Sequence, residues 1–520
     1  MLNIAALLTP ENFDHPVSGI ELLETHISWV ILTGDYVYKI KKPVNLGFLD
    51  FSSLTQRRFY CEEELRLNRR LAPAIYLDVI PIRGTSDAPH VGGDGDIIDY
   101  AVRMRQFPQS AQLDRLLQHG NLPAGYLDDI ADVVARFHAR VDKAPAAMQY
   151  GEPEQVWQPV EENFAQIRER EHRADILEQL DSLQDWSRRN FADLQAVMRQ
   201  RKRDGFVREC HGDLHLRNIA WFENAPVIFD CIEFNPALRW IDVISDITFL
   251  FMDLIDRRQP ALAYRMLNRY LSHTGDYAGL VLLPFYFVYR AMVRAKVNCI
   301  RLSQSDLSAQ ERAVDEQEFA GYLALAQSFI RRRKPSLMIT WGLSASGKST
   351  ISEGLLAALG AVRLRSDVER KRLVGIDALT RAKSIPGAGI YTAEMSDRTY
   401  AHLLRQAQTL LSAGFPVIVD AAFLAAARRK PFAELARQLQ VPFVILQCVA
   451  SASCLRQRIC QRADDASDAD LAILENQLRQ FTPLAAEELP DTITIDTEQA
   501  VDIAKLAQHV RAHAEDVTNA

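Results

Sequence analysis

The chain has 520 residues, of which 48% are hydrophobic and 24% are charged, and its formal net charge is −7 at pH 7. At roughly 100 to 200 residues per domain, this length predicts more than one hydrophobic core, and the composition excludes collagen-like and largely disordered proteins. The mildly acidic balance also argues against general binding of nucleic acid along the whole chain.

The cysteines and the amino terminus bear on the cellular compartment. The cysteines are far apart and include no CxxC pair, so neither a disulfide framework nor a zinc ribbon is indicated. The first residues, MLNIAALLTPENFDHP, lack the basic region of a secretory signal. The longest apolar run, 277–289, contains Pro284 and is shorter than the ~20 residues that cross a bilayer. We therefore expect a cytoplasmic protein with no membrane segment.

The start of the chain is predicted to be mainly β. Residues 28–40, SWVILTGDYVYKI, read as two strands joined by a Gly-Asp turn, which is a hairpin signal. Apolar residues at near-helical spacing then predict a helix over 52–71. Two further β-like segments, 76–82 and 96–104, flank a turn-rich stretch.

The composition then changes to that of helices. Residues 111–201 are rich in Leu, Ala, Gln, Glu and Arg at helical spacing. Two short β-like pieces lie within 206–235, and helical apolar stretches continue beyond them. We therefore expect one α+β unit of two lobes, a small lobe over about 1–104 and a helical lobe over about 105–330.

A charged run marks a predicted domain boundary. Residues 331–335, RRRKP, combine like charges with a proline, which fits a solvated linker better than the alternative of a nucleic-acid patch. Beyond it, strands alternate with helices, among them a helix over 348–359. This order predicts right-handed crossovers and a parallel sheet covered on both faces. We predict two domains, 1–334 and 335–520, of which the second has an α/β fold.

The second half contains a phosphate-binding motif. Residues 342–350, GLSASGKST, satisfy GxxxxGK[ST] and lie between an apolar strand and a helix, as this motif requires. Glycines let backbone N–H groups turn towards phosphates, the helix start adds its positive dipole end, and the lysine reaches the β and γ oxygens. We therefore predict ATP binding by Gly342, Leu343, Ser344, Ala345, Ser346, Gly347, Lys348, Ser349 and Thr350.

A metal site is predicted beside this motif. The hydroxyl of Ser349 is expected to hold Mg²⁺, and a further carboxylate is expected at the end of a neighbouring buried strand. Asp420 occupies that position in PVIVDAAF. A capping role is the alternative for Asp420.

The second half resembles P-loop kinases of the polynucleotide-kinase and zeta-toxin type over about 336–490. In that family an Asp after the second strand orients or deprotonates the accepting hydroxyl, which implies this role for Asp367; a helix N-cap is the alternative. Arg458 and Arg462, at i and i+4 in LRQRICQR, have the arrangement of a lid that closes on phosphates, with an exposed helical face as the alternative. The chain departs from the family at Ala345, where many such kinases carry another Gly.

The first half carries a different kinase-like pattern. HGDLHLRN at 211–218 is followed by VIFDCIEFN at 227–235, an apolar strand that ends in Asp. This pattern resembles the catalytic segment of aminoglycoside phosphotransferases and related small-molecule kinases with a protein-kinase-like fold. The resemblance implies that Asp213 accepts or orients the substrate hydroxyl proton and that Asn218 and Asp230 hold Mg²⁺.

A transition-metal site is the alternative for this segment. His211, Asp213 and His215 are spaced as HxDxH, and imidazole and carboxylate groups suit such a metal. A metal site explains neither Asn218 nor the strand that ends in Asp, so we favour phosphotransfer and a structural role for His211. His138 is expected to be an interior histidine with satisfied hydrogen bonds.

A kinase-like small lobe also needs a strand lysine that faces the α and β phosphates and a carboxylate on the next helix. Period-2 alternation places Lys39 and Lys41 on one face of a strand. The resemblance favours Lys39, which directly follows the aliphatic strand core. Glu64 is the expected partner, with Glu62 and Glu63 as alternatives.

Two carboxylates are candidates for support of the catalytic segment. Asp242 and Asp246, in RWIDVISDITFL, match positions where such kinases have a carboxylate that buttresses the catalytic loop. An N-cap or a solvent-facing position is the alternative for each.

The whole chain resembles bacterial bifunctional proteins in which an aminoglycoside-phosphotransferase-like domain is fused to a P-loop ATP-binding kinase domain. The resemblance implies ATP and Mg²⁺ in both halves and small-molecule hydroxyl groups as acceptors. End processing of nucleic acid by the P-loop half is one alternative, although residues 336–520 have almost equal numbers of basic and acidic residues. An ATP-driven switch that acts on a protein partner is the other. The sequence predicts neither the acceptor nor the oligomeric state.

Overall fold

The computed structural model describes residues 2–45, 49–304, 307–331, 335–376, 392–461, 471–479 and 481–519. The chain forms two compact units. The first unit comprises Met1–Glu169 and Ser187–Asp253, and the second comprises Arg170–Trp186 and Leu254–Ala520.

The first unit begins with an antiparallel sheet of six strands. These strands are β1 (Glu21–Glu24), β2 (Ser28–Leu32), β3 (Tyr36–Lys41), β4 (Tyr76–Thr85), β5 (Ala88–Val91) and β6 (Ile97–Arg105). They lie in the order β1-β2-β3-β6-β4-β5. The predicted hairpin is present as β2 and β3, with Val30 opposite Lys39. The short strands β1 and β5 were not predicted.

Most of the helices that begin within residues 4–243 lie where the sequence is predicted to be helical, and one more lies where a helix is predicted over 52–71. They are α1 (Ile4–Leu7), α2 (Leu54–Asn68), α3 (Leu113–Gln118), α4 (Ala124–Arg140), α5 (Pro153–Arg168), α6 (Ala174–Arg203) and α7 (Val243–Asp256). Helix α2 starts at a capping box, in which the Ser53 side chain accepts from the backbone N–H of Gln56 and the Gln56 side chain accepts from the backbone N–H of Ser53. The face of α2 that carries Cys61, Glu64 and Asn68 is buried, so Glu64 points into the unit.

Four short strands surround the HGDLHLRN segment. They are β7 (Val207–Glu209), β8 (Ile219–Phe222), β9 (Ala225–Ile228) and β10 (Trp240–Asp242). Strand β7 pairs with β10, and β8 pairs with β9, in both cases antiparallel. The segment with Asp213 therefore forms the loop between β7 and β8, and Asp230 follows β9 by two residues.

Three long helices precede the predicted linker and belong to the second unit: α8 (Pro260–Thr274), α9 (Leu283–Leu302) and α10 (Ala309–Ile330). Residues 278–302, which include α9, form the one helical stretch of the described chain that is long and apolar enough to cross a membrane, and 72% of its apolar window is buried inside the structure. Such burial is typical of a core helix of a soluble protein. All cysteines of the chain are free thiols.

The rest of the second unit contains a parallel sheet, as the sequence predicts. Its strands are β11 (Leu337–Trp341), β12 (Val362–Arg365), β13 (Val417–Asp420), β14 (Phe443–Val449) and β15 (Thr492–Asp496), in the order β12-β13-β11-β14-β15. The helices are α11 (Lys348–Leu359), α12 (Ser366–Arg372), α13 (Ala393–Ser412), α14 (Ala426–Leu439), α15 (Ala452–Gln461), α16 (Leu471–Arg479) and α17 (Ile503–Asn519). The α/β fold of this half is confirmed.

The compact units do not divide at the charged run. Residues 254–330 belong to the same compact unit as the parallel sheet, and not to the unit that contains the antiparallel sheet. Residues 332–334 of the charged run lie outside the described residues. The boundary between 1–334 and 335–520 therefore stays a prediction about which parts fold independently.

Helix α8 covers an outer strand of the parallel sheet. The side-chain amide of Asn268 accepts from the backbone N–H of Arg363 at 2.7 Å and donates to the carbonyl of Ala361 at 2.9 Å. A neighbouring strand would use the same two backbone groups among those that it pairs with along β12. The guanidinium group of Arg372 donates to two carbonyl groups at the end of α8. Helix α8 thus fixes both β12 and the helix that follows it.

Candidate phosphotransfer sites

Two lysines of β3 form a charged cluster with carboxylates from elsewhere in the first unit. The ammonium groups of Lys39 and Lys41 each lie 2.8 Å from an oxygen of Glu64. Lys39 Nζ also lies 2.5 Å from Asp230 Oδ1, whereas Lys41 forms its second ion pair with Glu233. The side chain of Lys39 is 14% exposed and that of Lys41 is 0% exposed. Lys39 is therefore the lysine that a ligand can reach.

The charges of this cluster shift one another's pKa values. Burial acts to raise the pKa of Glu64, but the two lysines outweigh burial and lower the pKa to about 2. Burial acts to lower the pKa of Lys39, but Asp230, Glu64 and Glu233 outweigh it and raise the pKa well above its usual range. Burial raises the pKa of Glu233, against the opposing effect of Lys41. Lys39 and Glu64 are therefore both charged at neutral pH.

The other glutamates of α2 have different partners. Glu62 pairs with Arg58 on the exposed face, and Glu63 pairs with Arg66 and Arg239. Glu64 is the glutamate that the structure brings to Lys39.

Asp213 lies beside Asn218 in the loop between β7 and β8. Its Oδ2 accepts a hydrogen bond from Asn218 Nδ2 at 2.9 Å and lies 3.2 Å from His215 Nε2. The Asp213 side chain is 34% exposed, so a substrate hydroxyl can reach it. Because Nδ2 of Asn218 faces Asp213, Oδ1 of Asn218 is directed elsewhere. This oxygen can accept a hydrogen bond or bind a cation.

Asp246 supports this loop from its buried side. Its carboxylate accepts the backbone N–H groups of His211 at 3.1 Å and Gly212 at 2.8 Å. The same carboxylate lies 3.0 Å from Nε2 of His138, which is buried. Asp242 instead accepts two hydrogen bonds from Arg201, at 2.7 and 2.9 Å. Of the two predicted candidates, Asp246 is the one that contacts the loop.

The geometry of His211 fits a structural role. Its Nε2 is 2.9 Å from the carbonyl of Phe229, and its Nδ1 accepts the backbone N–H of Asp213 at 3.2 Å. Burial lowers the pKa of His211, so the ring is neutral. Since both ring nitrogens are engaged by the backbone, His211 is not available as a metal ligand.

Asp230 has an unusual backbone conformation. Its φ is +63°, in the left-handed region. The backbone N–H of Asp230 donates to the hydroxyl of Tyr76 at 3.2 Å, and that of Cys231 donates to Asn68 Oδ1 at 2.9 Å. The Asp230 carboxylate remains 44% exposed. The surrounding bonds therefore aim an accessible carboxylate at Lys39.

Several residues of this site were not predicted. Glu233 and Tyr76 contact the charged cluster, and Asp253 accepts the backbone N–H of Leu216 at 2.9 Å. The sequence did contain a reason to expect a residue such as Glu233, because two lysines on one buried strand face require more than one carboxylate. Tyr76 and Asp253 carry no such signal in the sequence.

The phosphate-binding loop connects β11 to α11. Gly347 has φ +82°, and a Cβ at Gly342, whose φ is +153°, would lie 2.5 Å from the carbonyl oxygen of Cys448. These two positions therefore require glycine. Ala345 also has a positive φ, +63°. The position where the sequence departs from the kinase pattern is thus a left-handed one occupied by a residue with a Cβ.

A cavity of about 1120 Å³ opens beside this loop and brings most of the predicted residues together. Those residues are Ser344, Ala345, Ser346, Gly347, Lys348, Ser349, Thr350, Asp367, Asp420 and Arg458. Lys348 Nζ donates to the carbonyl groups of Gly342 and Leu343, at 3.0 and 2.7 Å. Arg462 lies outside the described residues.

The two carboxylates of the cavity differ in their surroundings. Asp420, at the end of β13, is buried, and its Oδ2 accepts from the hydroxyl of Ser352 at 3.0 Å. Asp367 lies in the first turn of α12, whose N-cap is Arg365, so Asp367 does not cap that helix. Burial raises the pKa of Asp367, ahead of the opposing effects of Arg365 and Arg370. A raised carboxyl pKa suits a group that accepts a proton.

Arg458 contacts the loop rather than solvent alone. Its guanidinium group donates to the Ala345 carbonyl at 3.3 Å and to the Thr497 hydroxyl at 3.0 Å. The backbone N–H of Ser344 donates to Gln477 Oε1 at 2.8 Å. Thr497 and Gln477 were not predicted, because neither belongs to a motif.

Known families match both halves of the chain. The profile of the phosphotransferase enzyme family matches residues 54–283, and that of an AAA domain matches residues 337–484. The uncharacterized protein Rv2004c of Mycobacterium tuberculosis (strain ATCC 25618 / H37Rv) is 31% identical over 465 residues, which cover 88% of this chain and 90% of that protein. The uncharacterized protein Mb2027c of Mycobacterium bovis has the same identity and coverage.

Solved structures of kinases are also similar to the chain. Amicoumacin kinase hAmiN, in complex with AMP-PNP, Ca²⁺ and Ami, is 15% identical with a TM-score of 0.39, and the match covers 62% of this chain and 91% of that chain. A gluconokinase from Sinorhizobium meliloti 1021 is 21% identical with a TM-score of 0.26, and the match covers 36% of this chain and 96% of that chain.

Proposed function

Because the chain belongs to the same family as these mycobacterial relatives, with a phosphotransferase domain followed by a P-loop kinase domain, we propose that it is a cytoplasmic kinase with two sites. Each site transfers the γ-phosphate of ATP to a hydroxyl group of a small molecule. The observation that carries the proposal is the position of Lys39 Nζ, within 2.8 Å of Glu64 and 2.5 Å of Asp230. This is the arrangement by which protein-kinase-like enzymes hold the phosphates of ATP.

In the first domain, four charged side chains have distinct roles. Lys39 is held in place by Glu64 and contacts the α and β phosphates. Asp213 accepts a hydrogen bond from the acceptor hydroxyl, orients its oxygen towards the γ-phosphorus and takes up its proton. The hydrogen bonds that Asp246 accepts from the backbone hold the loop in place, so the carboxylate of Asp213 needs little reorganisation when the acceptor binds.

Oxygen ligands for Mg²⁺ are present in the first domain. The exposed carboxylate of Asp230 and the Oδ1 of Asn218 are the hard oxygen donors that this ion prefers. When bound, Mg²⁺ neutralises charge on the phosphates. Asp230 and Asn218 would hold it.

In the second domain, the loop binds the phosphates and Asp367 acts on the acceptor. Residues of the loop and of the start of α11 line the cavity, and Lys348 exchanges its carbonyl partners for the β and γ oxygens. Asp367 orients the acceptor hydroxyl and takes its proton. Ser349 and Asp420 supply the oxygen atoms that would hold Mg²⁺ here.

A screen of ATP consumption over a library of hydroxyl metabolites tests the proposal. The wild-type protein is compared with Asp213→Asn, with Lys348→Ala and with the double variant. We expect at least one metabolite whose phosphorylation is lost in one single variant and retained in the other, which assigns that activity to one domain. If no metabolite is phosphorylated, or if the double variant retains full transfer, the proposed function is wrong.

A further inference from the structure

A second cavity of about 410 Å³ lies on the first unit, between the end of α2, helix α4 and strand β7. None of the residues that line it belongs to the phosphotransfer site described above. Arginines dominate its wall. We call it the arginine groove, after its lining residues Arg66, Arg70, Arg136 and Arg140.

The inner side of the arginine groove is a fixed network of charges. The buried carboxylate of Glu209 contacts Arg66 at 2.8 Å, Arg70 at 3.1 Å and Arg239 at 3.1 Å. Arg70 also donates to the backbone carbonyl groups of Glu209 and Cys210, at 2.7 and 3.2 Å. The hydrogen-bonding groups of Arg66 and Arg70 are therefore held in place by the protein itself.

The outer side of the arginine groove carries arginines that are not part of this charge network. Arg136 and Arg140 are one turn apart on α4, so they lie on the same face of the helix. Both are exposed, and no ion pair or hydrogen bond of either guanidinium group occurs within the described part of the chain. The acidic residues that line the groove are Glu209 and Asp142, which leaves an excess of two positive charges among the lining residues. This excess attracts an anion.

An apolar wall adjoins these charges. Leu71, Val133 and Phe137 line the groove, and the guanidinium carbon of Arg70 lies 5.1 Å from the centre of the Phe137 ring. The volume falls in the range of small-molecule sites, which is roughly 300 to 1,000 Å³. The groove therefore combines a size suited to small molecules, an aromatic surface and two guanidinium groups that have no partner among the described residues.

We propose that the arginine groove binds a small organic molecule with a phosphate group, whose phosphate contacts Arg136 and Arg140 and whose apolar part contacts Phe137. Guanidinium groups match the geometry of phosphate oxygens with paired hydrogen bonds. A phosphate monoester carries a charge of about −1.5 to −2 at pH 7, which matches the excess charge better than a single carboxylate does. The proposal is independent of the phosphotransfer reaction.

Calorimetric titration of the full-length protein with phenyl phosphate tests this site. The titration is made without nucleotide, because the phosphates of ATP or of an analogue would themselves compete for Arg136 and Arg140. We expect the wild-type protein to bind phenyl phosphate and Arg136→Ala/Arg140→Ala to bind it at least about tenfold more weakly, because two charge-assisted contacts are lost. Asp142→Asn should bind it more tightly, because a repulsive charge is removed.

A control variant separates a local site from general electrostatic attraction. Arg115→Ala/Arg203→Ala removes the same charge from two exposed arginines of the first unit, each of which donates to a glutamine side chain. We expect its affinity for phenyl phosphate to stay within about twofold of the wild-type value, because screening weakens distant surface charges.

Benzoate and phenol complete the test as probes without phosphate. We expect benzoate to bind more weakly than phenyl phosphate and phenol not to bind. The proposal is overturned if the wild-type protein does not bind phenyl phosphate, if benzoate binds equally well, or if both double variants lose the same affinity. Circular dichroism of each variant verifies that it is folded.

Discussion

The carboxylate of Asp246 accepts the backbone N–H of Gly212 at 2.8 Å. Together with the bond to His211, this contact fixes the backbone immediately before Asp213 from the buried side. The backbone before Asp213 is therefore held by contacts that do not involve the charge of Asp213. A substitution that removes only that charge should leave the loop in place.

Asp213→Asn should reduce kcat of the first domain by about 10²-fold or more, because it removes the carboxylate that we propose as the proton acceptor. Nucleotide affinity should be nearly unchanged, since Asn218, Asp230 and Lys39 remain. Steady-state kinetics with an identified acceptor and titration with an ATP analogue measure the two quantities. An unchanged kcat would rule out Asp213 as the base.

Lys41→Met should mainly lower the stability of the protein, whereas Lys39→Met should mainly lower its nucleotide affinity. Without Lys41, Glu233 and Glu64 lose a buried partner, so we expect the free energy of unfolding to fall by about 3–5 kcal/mol. Without Lys39, Lys41 still balances Glu64, so nucleotide affinity should fall more than stability. Denaturant unfolding and nucleotide titration of both variants check this order, and the reverse order would contradict the assignment of Lys39 to ATP.

Ala345→Gly should stabilise the second domain. A left-handed backbone costs alanine ~1–2 kcal/mol, and the greater freedom of glycine in the unfolded chain offsets part of this gain. We expect a net increase of about 0.5–1 kcal/mol in the free energy of unfolding. Denaturant midpoints of the wild-type and variant proteins measure it, and a decrease would show that the loop conformation is not strained at this position.

If Asp367 acts on the acceptor hydroxyl as we propose, Asp367→Asn should abolish phosphoryl transfer by the second domain while ATP affinity remains. Lys348→Ala should weaken both. Burial raises the pKa of Asp367, so protonation of this carboxylate begins at a higher pH than for an ordinary carboxyl group, whose pKa is about 3.9. As the pH is lowered, the transfer rate of the wild-type protein should therefore start to fall at a pH above that of an ordinary carboxyl group. Equal transfer rates in wild-type and Asp367→Asn at saturating acceptor would favour an ATP-driven switch.

The raised pKa of Asp367 also determines how this carboxylate affects the stability of the fold at different pH values. The folded state disfavours the charged form of Asp367, so this carboxylate destabilises the fold at pH values above its folded pKa. The destabilisation disappears as the pH falls below the unfolded value. Asp367→Asn should therefore not lower the free energy of unfolding at neutral pH, which separates loss of transfer from loss of fold.

Asn268→Ala should destabilise the second unit by about 1–3 kcal/mol, because the buried N–H of Arg363 and carbonyl of Ala361 lose their partner. Ser272→Ala is a matched control, since its hydroxyl donates only within α8, to the carbonyl of Asn268. We expect the control to change stability by about 0.5 kcal/mol or less. Thermal unfolding followed by circular dichroism compares the two. Similar losses would mean that Asn268 does not hold β12.

Motifs made the elements near the sites predictable. The helix predicted over 348–359 is α11, because a glycine-rich turn after an apolar strand determines where the helix begins. Lys39 and Lys41 lie on one face of β3, because side chains alternate along a strand. Local rules were sufficient for both features.

Features that depend on distant parts of the chain could not be predicted. Glu233 meets Lys41 across 192 positions, and Tyr76 meets Asp230 across 154. The assignment of residues 254–330 to the second unit depends on side-chain contacts such as those of Asn268, which no pattern in α8 announces. Tertiary packing determines these relationships, and periodicity carries no information about it.

The cover that α8 gives to β12 also affects solubility. β12 is an outer strand of its sheet, and unpaired N–H and carbonyl groups of such a strand can pair with the same strand of another molecule. Asn268 occupies two of these groups, the N–H of Arg363 and the carbonyl of Ala361, and so opposes intermolecular pairing along this edge. A fragment that begins at residue 336 lacks α8 and exposes β12, so its tendency to self-associate should increase with concentration. Retention of residues 254–335 would keep the edge covered.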